Sequence, residues 1–288
     1  MFLTFATPLS LLALETCYKG IVIDPPTSLP PNLPPTKISQ TLKSLTPYYQ
    51  SDMTQPFGLN TPLAKTYVKR CLVGVKGTTY KYLGIRMFAS DWKKAGDGGV
   101  AKLNDWMEVR TSHHLDELGK SRSYPPCGSN KYTVALINMM TSYDKKDKDN
   151  KLKKEPDFGN DRTNVSWHAD SSLQNYSTIA VYHCILDEGG DMAEDRDRER
   201  DNWRVGLKVV NDAEGPTMNT RGANVSGVAS AESSSSLSSA RPSDHPKITV
   251  ALENNATYYL LDDFNHHHQH AVLSPDDKGE NKTVRYSR

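Results

Sequence analysis

A histidine and an aspartate two residues apart, His168 and Asp170, are the residues of this sequence best suited to bind one metal ion together. On a β-strand, side chains two residues apart project to the same side, so this imidazole and this carboxylate can reach one ion. An isolated pair of this kind is more often a surface feature of a loop. A second histidine would complete the set of two histidines and one carboxylate that is typical of non-haem Fe(II) oxygenases.

Four histidines near the end of the sequence offer candidates for that third ligand. They are His266, His267, His268 and His270, and they follow a predicted strand that ends at Leu261. If the cluster continues as a strand, His266, His268 and His270 share one face, and any of them could reach the metal. We expect at least two of the four to be solvated instead.

An arginine beyond this cluster is a candidate for binding a cosubstrate. An oxygenase of this class that uses 2-oxoglutarate needs a cation for the distal carboxylate, and arginine suits it because its planar guanidinium donates two parallel hydrogen bonds. Arg285 and Arg288 are the only arginines after His270. Residues 285–287 are predicted to form a strand after a polar loop at residues 275–281. An arginine near a chain end is usually only solvated. Arg285 is therefore interpreted as a cosubstrate-binding residue only in combination with the metal-ligand candidates that precede it.

The remaining sequence predicts a mostly β fold with a helical N-terminal part. Strands are predicted at residues 20–24, 66–74, 79–88, 132–138, 177–182, 203–210 and 256–261. Helices are predicted at residues 7–14, with Thr7 as the cap, and at residues 101–118, where apolar residues form a stripe that ends at Gly119. Helices followed by many antiparallel strands favour a double-stranded β-helix, or jelly roll, with an N-terminal helical extension.

The chain is interpreted as a single domain over residues 1–288, with two segments of unusual composition. Residues 25–36 are rich in proline and are predicted to form an extended surface segment. Residues 213–246 are rich in serine and poor in large apolar side chains, which predicts a disordered insertion in a loop between strands.

Charge and cysteine content restrict the partners and the compartment. Lysine and arginine number 35 and aspartate and glutamate 34, so there is no global basic field for nucleic acid, and any such contact needs a local patch or a base pocket. The four cysteines contain no CxxC pair, which favours reduced thiols in an intracellular protein over a zinc site or a disulfide scaffold. No apolar run approaches the length of a membrane span.

Several sequence blocks together resemble the AlkB-like family of Fe(II)/2-oxoglutarate-dependent nucleic-acid demethylases. The matching blocks are residues 77–83 (GTTYKYL), 103–105 (LND), Asn138, residues 154–159 (KEPDFG), 165–170 (VSWHAD), 258–265 (YYLLDDFN) and 268–270 (HQH). They stand in the order expected for the family and extend from roughly residue 60 to the end of the sequence. The Tyr-Lys-Tyr-Leu and Val-Ser-Trp-His blocks are more specific to this family than the metal ligands are.

The resemblance implies a role for each matching residue. His270, the last residue of His-Gln-His, would join His168 and Asp170 as the third ligand of Fe(II), with 2-oxoglutarate and O₂ as co-substrates. The residues implied to bind 2-oxoglutarate are Tyr258, Arg285 and Ser287 at its distal carboxylate and Asn138 at its metal-chelating end. The residues implied to recognise the base are Arg70, Tyr80, Tyr82, Leu83, Ser166 and Trp167.

The implied activity is oxidative N-demethylation of methylated bases, of the N6-methyladenine type, in single-stranded RNA or DNA, within the cell and by resemblance in the nucleus. A lysine-rich segment at residues 145–154 matches a family loop that is expected to hinder entry of a duplex. Two alternatives remain open, namely a 2-oxoglutarate-dependent protein hydroxylase and a catalytically inactive nucleic-acid-binding homologue.

Three departures from the family pattern accompany the resemblance. An ungapped alignment places Arg285 at the second arginine of the family motif and leaves the first position empty. The acidic family position beside the ligand carboxylate is Ser171 here. The separate C-terminal helical domain of the family has no counterpart in the sequence, and a partner that replaces it is compatible with this absence.

Overall fold

The computed structural model describes residues 3–4, 17–54, 64–82, 85–94, 99–122, 125–126, 129–142, 152–155, 158, 162–170, 173, 176–187, 203–210, 247–275 and 283–287. The strands are β1 (Leu3–Thr4), β2 (Ile21–Asp24), β3 (Gln50–Thr54), β4 (Ala64–Gly74), β5 (Thr79–Tyr82), β6 (Ile85–Phe88), β7 (Ser90–Asp91), β8 (Val134–Thr141), β9 (Arg162–His168), β10 (Ile179–Asp187), β11 (Arg204–Val209), β12 (Ile248–Ala251), β13 (Thr257–Leu260), β14 (His268–Ser274) and β15 (Thr283–Ser287). The helices are α1 (Pro35–Ser44), α2 (Gly99–Lys120) and the short α3 (Phe264–His267).

Two sheets face each other in these residues. The larger sheet has the strand order β2-β13-β10-β15-β8-β4-β3, with β7 paired to β4, and the smaller sheet has the order β1-β12-β11-β14-β9. All neighbours within β13-β10-β15-β8 and within β12-β11-β14-β9 are antiparallel. Two four-stranded antiparallel layers of this kind form a double-stranded β-helix, so the predicted fold class is confirmed.

Apolar side chains from both sheets fill the space between them. One inner cluster joins Val181 and Tyr258 of the larger sheet to Leu207 and Val250 of the smaller sheet. A second inner cluster joins Val68, Met140 and Ile185 of the larger sheet to Val272 of the smaller sheet. These two clusters are separate, so polar side chains that face the same interior can form a binding site between or beside them.

The helices cover the outer face of the larger sheet. Buried residues of α2, including Leu103 and Met107, pack with Ile38 and Leu42 of α1 and with outward-facing strand residues such as Tyr259. The spacing of four residues puts each pair on one helix face. α2 agrees with the helix predicted at residues 101–118.

The proline-rich segment at residues 25–36 is only partly the extended surface segment that its composition predicts. It contains a 3-10 turn at Pro26–Ser28, and Leu33 is buried in the helix-covered core. α1 begins at Pro35. Proline is well tolerated at the first helical position, because an N–H at that position would make no hydrogen bond within the helix.

The predicted strands are found, with one change. Within the predicted strand at residues 79–88, residues 79–82 and 85–88 form two paired antiparallel strands, β5 and β6, instead of one strand. The predicted helix at residues 7–14, the lysine-rich segment at 145–154 except residues 152–154, and the serine-rich insertion at 213–246 lie outside the described residues. Within the described part of the chain, none of the helices has the length and apolar character needed to cross a membrane.

Candidate metal centre

The structure brings His168, Asp170 and His270 together. One potential ligand atom from each lies within 4.8 Å of those from the other two. Nε2 of His168 is 3.4 Å from Oδ1 of Asp170, and Nε2 of His270 is 4.0 Å from Oδ2 of the same carboxylate. His270 is buried, whereas His168 and Asp170 are half-buried, so the cluster is open on one side. Two imidazoles and one carboxylate are therefore directed at a common point.

Strand pairing places the two histidines side by side. His168 of β9 pairs directly with His270 of β14, and Val165 pairs with Val272. The β9 segment between these pairs contains one residue more than the β14 segment, which is a β-bulge. The bulge lets Val165 and His168 face the interior together although they are three residues apart, and it directs the residues between them outward.

Nδ1 of His168 lies 2.8 Å from the carbonyl oxygen of Ser166. Donation from Nδ1–H to this carbonyl leaves the lone pair on Nε2, which faces Asp170 and His270, and fixes the ring orientation. Burial alone would lower the pKa of His168, but the hydrogen bond and charge of Asp170, together with backbone hydrogen bonds to Ser166 and His270, outweigh burial and raise that pKa above the ordinary value. A bound cation at Nε2 therefore competes with a proton.

The other three histidines of the cluster are engaged elsewhere. His268 has its two ring nitrogens 2.9 and 2.8 Å from the carbonyl oxygens of Phe264 and Cys17. The ring centroids of His266 and Tyr176 are 4.8 Å apart, and Nε2 of His267 lies 3.9 Å from Oδ2 of Asp263. His266 and His267 also belong to α3 and not to a strand, so the expected alternation begins only at His268. Of the candidates, the structure places His270 at the site.

The residues implied to bind 2-oxoglutarate lie on neighbouring strands of the larger sheet. Asn138 of β8 pairs with Arg70 of β4 and with Ser287 of β15, and Oδ1 of Asn138 accepts a hydrogen bond of 2.9 Å from Nε of Arg70. Arg285 pairs with Met140, which faces the interior. The side chains of Arg285 and Ser287 lie outside the described structure. Their strand positions are compatible with the predicted roles, which stay predictions.

Tyr258, the other residue implied to bind 2-oxoglutarate, is buried in β13. It packs in the inner cluster that contains Val181 and Leu207. Its strand neighbours are Val181 of β10 and Ile23 of β2. The ring therefore lies between the two sheets, and the role of its hydroxyl in binding a carboxylate remains a prediction.

The residues implied to recognise the base are divided among separate elements. Tyr80 is half-buried in the β5-β6 hairpin, opposite Met87, whereas Arg70 is buried in the larger sheet. The side chain of Tyr82 and all of Leu83 lie outside the described residues. Arg70, which the resemblance assigns to the base, hydrogen-bonds Asn138, which the resemblance assigns to 2-oxoglutarate.

Trp167 packs on the outer side of the smaller sheet. A Cβ atom at Gly206 would lie 2.8 Å from its ring, and Nζ of Lys208 lies 4.8 Å from the ring centroid. Nε1 of Trp167 donates a 3.0 Å hydrogen bond to the fully buried Glu155. Gly206 and Lys208 alternate with the inward-facing Leu207, so the structure places Trp167 away from the metal ligands. Ser166 is exposed beside it.

Two residues that sequence reasoning missed support the ligands. The side-chain amide of Asn265 hydrogen-bonds both main-chain groups of Asp170. Glu155 accepts the bond from Trp167 and a second bond from the backbone N–H of Phe158, which fixes the strand next to His168. Both residues lie in sequence blocks that match the family, which was the available signal.

The donor set fits a divalent transition metal. Metal–nitrogen and metal–oxygen bonds of about 2 Å allow three donors to share an ion when the donors are about 3–4 Å apart. The candidate ligand atoms of His168, Asp170 and His270 all lie within 4.8 Å of one another, which is close to that separation. Two histidines and one carboxylate leave coordination positions for other ligands, as non-haem Fe(II) sites require.

The chain is similar to curated proteins and to solved structures. The α-ketoglutarate-dependent dioxygenase FTO of Xenopus laevis is 28% identical over 244 residues, which cover 73% of this chain and 43% of the relative, so the chain spans less than half of that protein's length. A putative oxygenase from Shewanella oneidensis superposes with a TM-score of 0.48 at 10% identity, covering 100% of this chain and 88% of the other. An oxidoreductase of the 2OG-Fe(II) oxygenase family from Burkholderia pseudomallei superposes with a TM-score of 0.40 at 12% identity, covering 99% and 94%.

The match to a protein family covers nearly the whole sequence. Residues 12–287 match the FTO catalytic domain, and this range includes all three metal-ligand candidates and the strands that carry them. That family is one of α-ketoglutarate-dependent dioxygenases, which implies Fe(II), 2-oxoglutarate and O₂. The chain therefore belongs to the family of the FTO catalytic domain.

Proposed function

We propose that this chain is a dioxygenase domain that removes N-methyl groups from methylated bases, of the N6-methyladenine type, in single-stranded RNA or DNA. The observation that carries the proposal is the convergence of His168, Asp170 and His270 in a chain that matches the FTO catalytic domain. Fe(II) held by these residues would supply the oxidation of the N-methyl group by O₂, coupled to decarboxylation of 2-oxoglutarate.

The protein's own residues position the ligands. The carbonyl of Ser166 holds His168 in the tautomer that presents Nε2, and the carboxylate of Asp170 lies near Nε2 of both imidazoles. The β9-β14 pairing fixes the distance between the two rings. Because both histidines are on paired strands, the site needs little rearrangement to bind a cation.

The larger sheet supplies the proposed binding site for 2-oxoglutarate. Asn138, Ser287 and Arg285 occupy adjacent positions of β8 and β15. Arg70 is buried and hydrogen-bonds Asn138, which orients that amide. We assign the distal carboxylate to Arg285, Ser287 and Tyr258 on the family resemblance, and a guanidinium at position 285 provides the bidentate contact that such a carboxylate favours.

The β5-β6 hairpin supplies the proposed contact with the base. Tyr80 is half-buried in β5, opposite Met87 of β6, and Tyr82 is assigned to the base contact on the family resemblance. An aromatic ring offers stacking worth about 1–3 kcal/mol per base for any base, since every base has a π-face. A methylated base must be unpaired or flipped out to reach such a site, which favours single-stranded substrates.

Product analysis tests the proposal. The purified chain is incubated with Fe(II), 2-oxoglutarate and single-stranded oligonucleotides that carry one methylated base each, and succinate and formaldehyde are measured. We expect both products in equal amounts, and we expect more of them with a single strand than with the same strand in a duplex. Succinate without formaldehyde would refute demethylation, and product formation with a peptide in place of the oligonucleotide would favour a protein hydroxylase. No succinate under any condition would indicate an inactive binding homologue.

Family resemblance also underlies the proposed location. We propose that the domain acts in the nucleus. A fluorescent fusion tests this point, and exclusion of the fusion from the nucleus would refute it.

A further inference from the structure

We infer that Asn265 is a positioning residue that holds the metal ligand Asp170 in place through its main chain. Oδ1 of Asn265 accepts a 2.9 Å hydrogen bond from the backbone N–H of Asp170, and Nδ2 donates a 3.1 Å bond to the carbonyl oxygen of Asp170. One side-chain amide therefore satisfies both backbone groups of one ligand residue. The two residues are separated by 95 positions in the sequence.

This contact matters because Asp170 lies outside the strand that carries the other ligand. β9 ends at His168, so the β9-β14 hydrogen bonds fix His168 and His270 but do not extend to Asp170. The carboxylate is half-buried, with 26% of its side chain exposed. Asn265, by contrast, is only 3% exposed. The buried amide of Asn265 thus makes the backbone hydrogen bonds to Asp170 that a paired strand would otherwise make.

The turn that precedes Asn265 is held by Arg122, a residue that follows α2. Arg122, just beyond the end of α2, donates hydrogen bonds of 2.7 Å to Asp262 and 3.1 Å to Asp263, and only 8% of its side chain is exposed. Asp262 has a φ of 52°, in the left-handed region, so this turn departs from ordinary strand geometry. The turn leads directly into α3, where Asn265 is the second residue. The ion pairs of Arg122 therefore fix the start of the segment that positions Asp170.

A second asparagine makes the same contact at a place without metal ligands. Oδ1 of Asn254 accepts a 2.8 Å hydrogen bond from the backbone N–H of Ile185, and Nδ2 donates a 3.3 Å bond to the carbonyl oxygen of Ile185. Ile185 packs in an inner apolar cluster. Asn254→Ala removes two buried bonds of the same type, so it controls for the general loss of stability.

The experiment compares metal binding in the wild type, Asn265→Ala and Asn254→Ala. Mn(II), which does not oxidise during the measurement, replaces Fe(II), and its affinity is measured by calorimetry without oligonucleotide. Unfolding of the metal-free proteins is followed in parallel. We expect Asn265→Ala to bind Mn(II) about 10- to 100-fold more weakly, as is typical for residues that orient metal ligands. Asn254→Ala should be destabilised in the metal-free state but should keep the wild-type affinity.

Equal Mn(II) affinities in the wild type and Asn265→Ala would overturn the inference, as would equal losses in both asparagine variants. If Asn265→Ala does not fold, Asn265→Ser, which keeps one polar group, is measured against Asn254→Ser with the same criteria. The inference rests on the metal centre and not on the identity of the substrate. A wild type that binds Mn(II) but demethylates no oligonucleotide would refute the proposed function and leave the role of Asn265 standing.

Discussion

His168 and His270 are direct partners across the antiparallel strands β9 and β14, and their ring centroids lie 4.3 Å apart. Paired residues of antiparallel strands project from the same face of a sheet, so both imidazoles face the space between the two sheets. Next to this pair the register shifts, because β9 contains one extra residue between His168 and Val165. The relationship explains how two ligands that are about a hundred positions apart in sequence meet at one site.

The ligand assignment predicts that alanine variants of the metal ligands lose activity, whereas alanine variants of the neighbouring histidines keep it. Asp170→Ala and His270→Ala should lose Mn(II) binding and succinate production, because two remaining ligands do not hold the facial site. His266→Ala and His267→Ala should keep both, since their rings contact Tyr176 and Asp263 instead. Calorimetry and succinate assays measure the two properties. An active His270→Ala protein together with an inactive His266→Ala protein would move the third ligand to His266.

Arg285 is predicted to bind the distal carboxylate of 2-oxoglutarate. Arg285→Ala should weaken 2-oxoglutarate binding by a free energy of about 2–5 kcal/mol, because it would remove one partner of the proposed charge-assisted pair with that carboxylate. Mn(II) affinity should stay unchanged, since position 285 pairs with Met140 and Ile185 and not with a metal ligand. Calorimetry of the Mn(II)-loaded protein measures the cosubstrate affinity. An unchanged affinity would favour the alignment in which Arg285 takes the second arginine position.

Gly206 and Trp167 are predicted to be coupled in stability. Gly206→Ala should lower the free energy of unfolding by about 1–3 kcal/mol, because its Cβ would lie 2.8 Å from the Trp167 ring, which Glu155 holds in place. In a Trp167→Leu background the same substitution should cost less, and a double-mutant cycle of urea unfolding measures the difference. Additive effects, with a raised KM for the oligonucleotide in Trp167→Leu, would instead support a role for Trp167 in base binding.

The ion pair between the buried Asp24 of β2 and the partly exposed Arg110 of α2 is predicted to make stability depend on pH. Asp24 accepts hydrogen bonds of 2.8 and 2.7 Å from Arg110, and Nε2 of His114 lies 3.2 Å from it. Burial raises the pKa of Asp24, but the contacts with Arg110 and His114 outweigh it and hold that pKa well below its usual range. A carboxylate with a lowered folded-state pKa stabilises the protein above the unfolded-state pKa of about 3.9, and this contribution is lost as the pH falls below that value.

Asp24→Asn should therefore lower the free energy of unfolding by about 3 kcal/mol near neutral pH, since it leaves Arg110 without its charged partner. The deficit should persist down to about pH 4 and shrink at lower pH. Urea unfolding across this range measures it. Glu117→Gln, which removes a fully exposed pair with Lys120, serves as the control and should change little. A deficit in Asp24→Asn that does not vary with pH would contradict the assignment.

The fold and two of the ligands could be predicted from local sequence patterns. Alternating apolar residues identify many of the strands, although not β3 or β7, and the spacing of His168 and Asp170 identifies a possible metal site. Family resemblance, and not spacing, selected His270 among the histidines. Spacing failed there because α3 interrupts the strand pattern, so that only His268 and His270 belong to β14.

Contacts that depend on register and tertiary packing could not be predicted. The bulge in β9 places Trp167 outward, whereas its neighbour His168 faces the interior. The Asn265 contact joins a turn to a loop across the fold, and no local pattern marks it. α1 was also missed: its buried residues include Ser39 and Thr41 beside Ile38 and Leu42, and these polar positions obscure the helical apolar pattern.

Mass spectrometry of one reaction tests the central claim most directly. A single-stranded oligonucleotide with one N6-methyladenine is incubated with the wild-type chain, Fe(II) and 2-oxoglutarate, and with Asp170→Ala in parallel. We predict that the wild type removes the methyl group and that Asp170→Ala leaves the oligonucleotide unchanged. An intact methyl group after incubation with a wild type that still converts 2-oxoglutarate to succinate would contradict the proposed substrate. Equal demethylation by Asp170→Ala would contradict the metal centre itself.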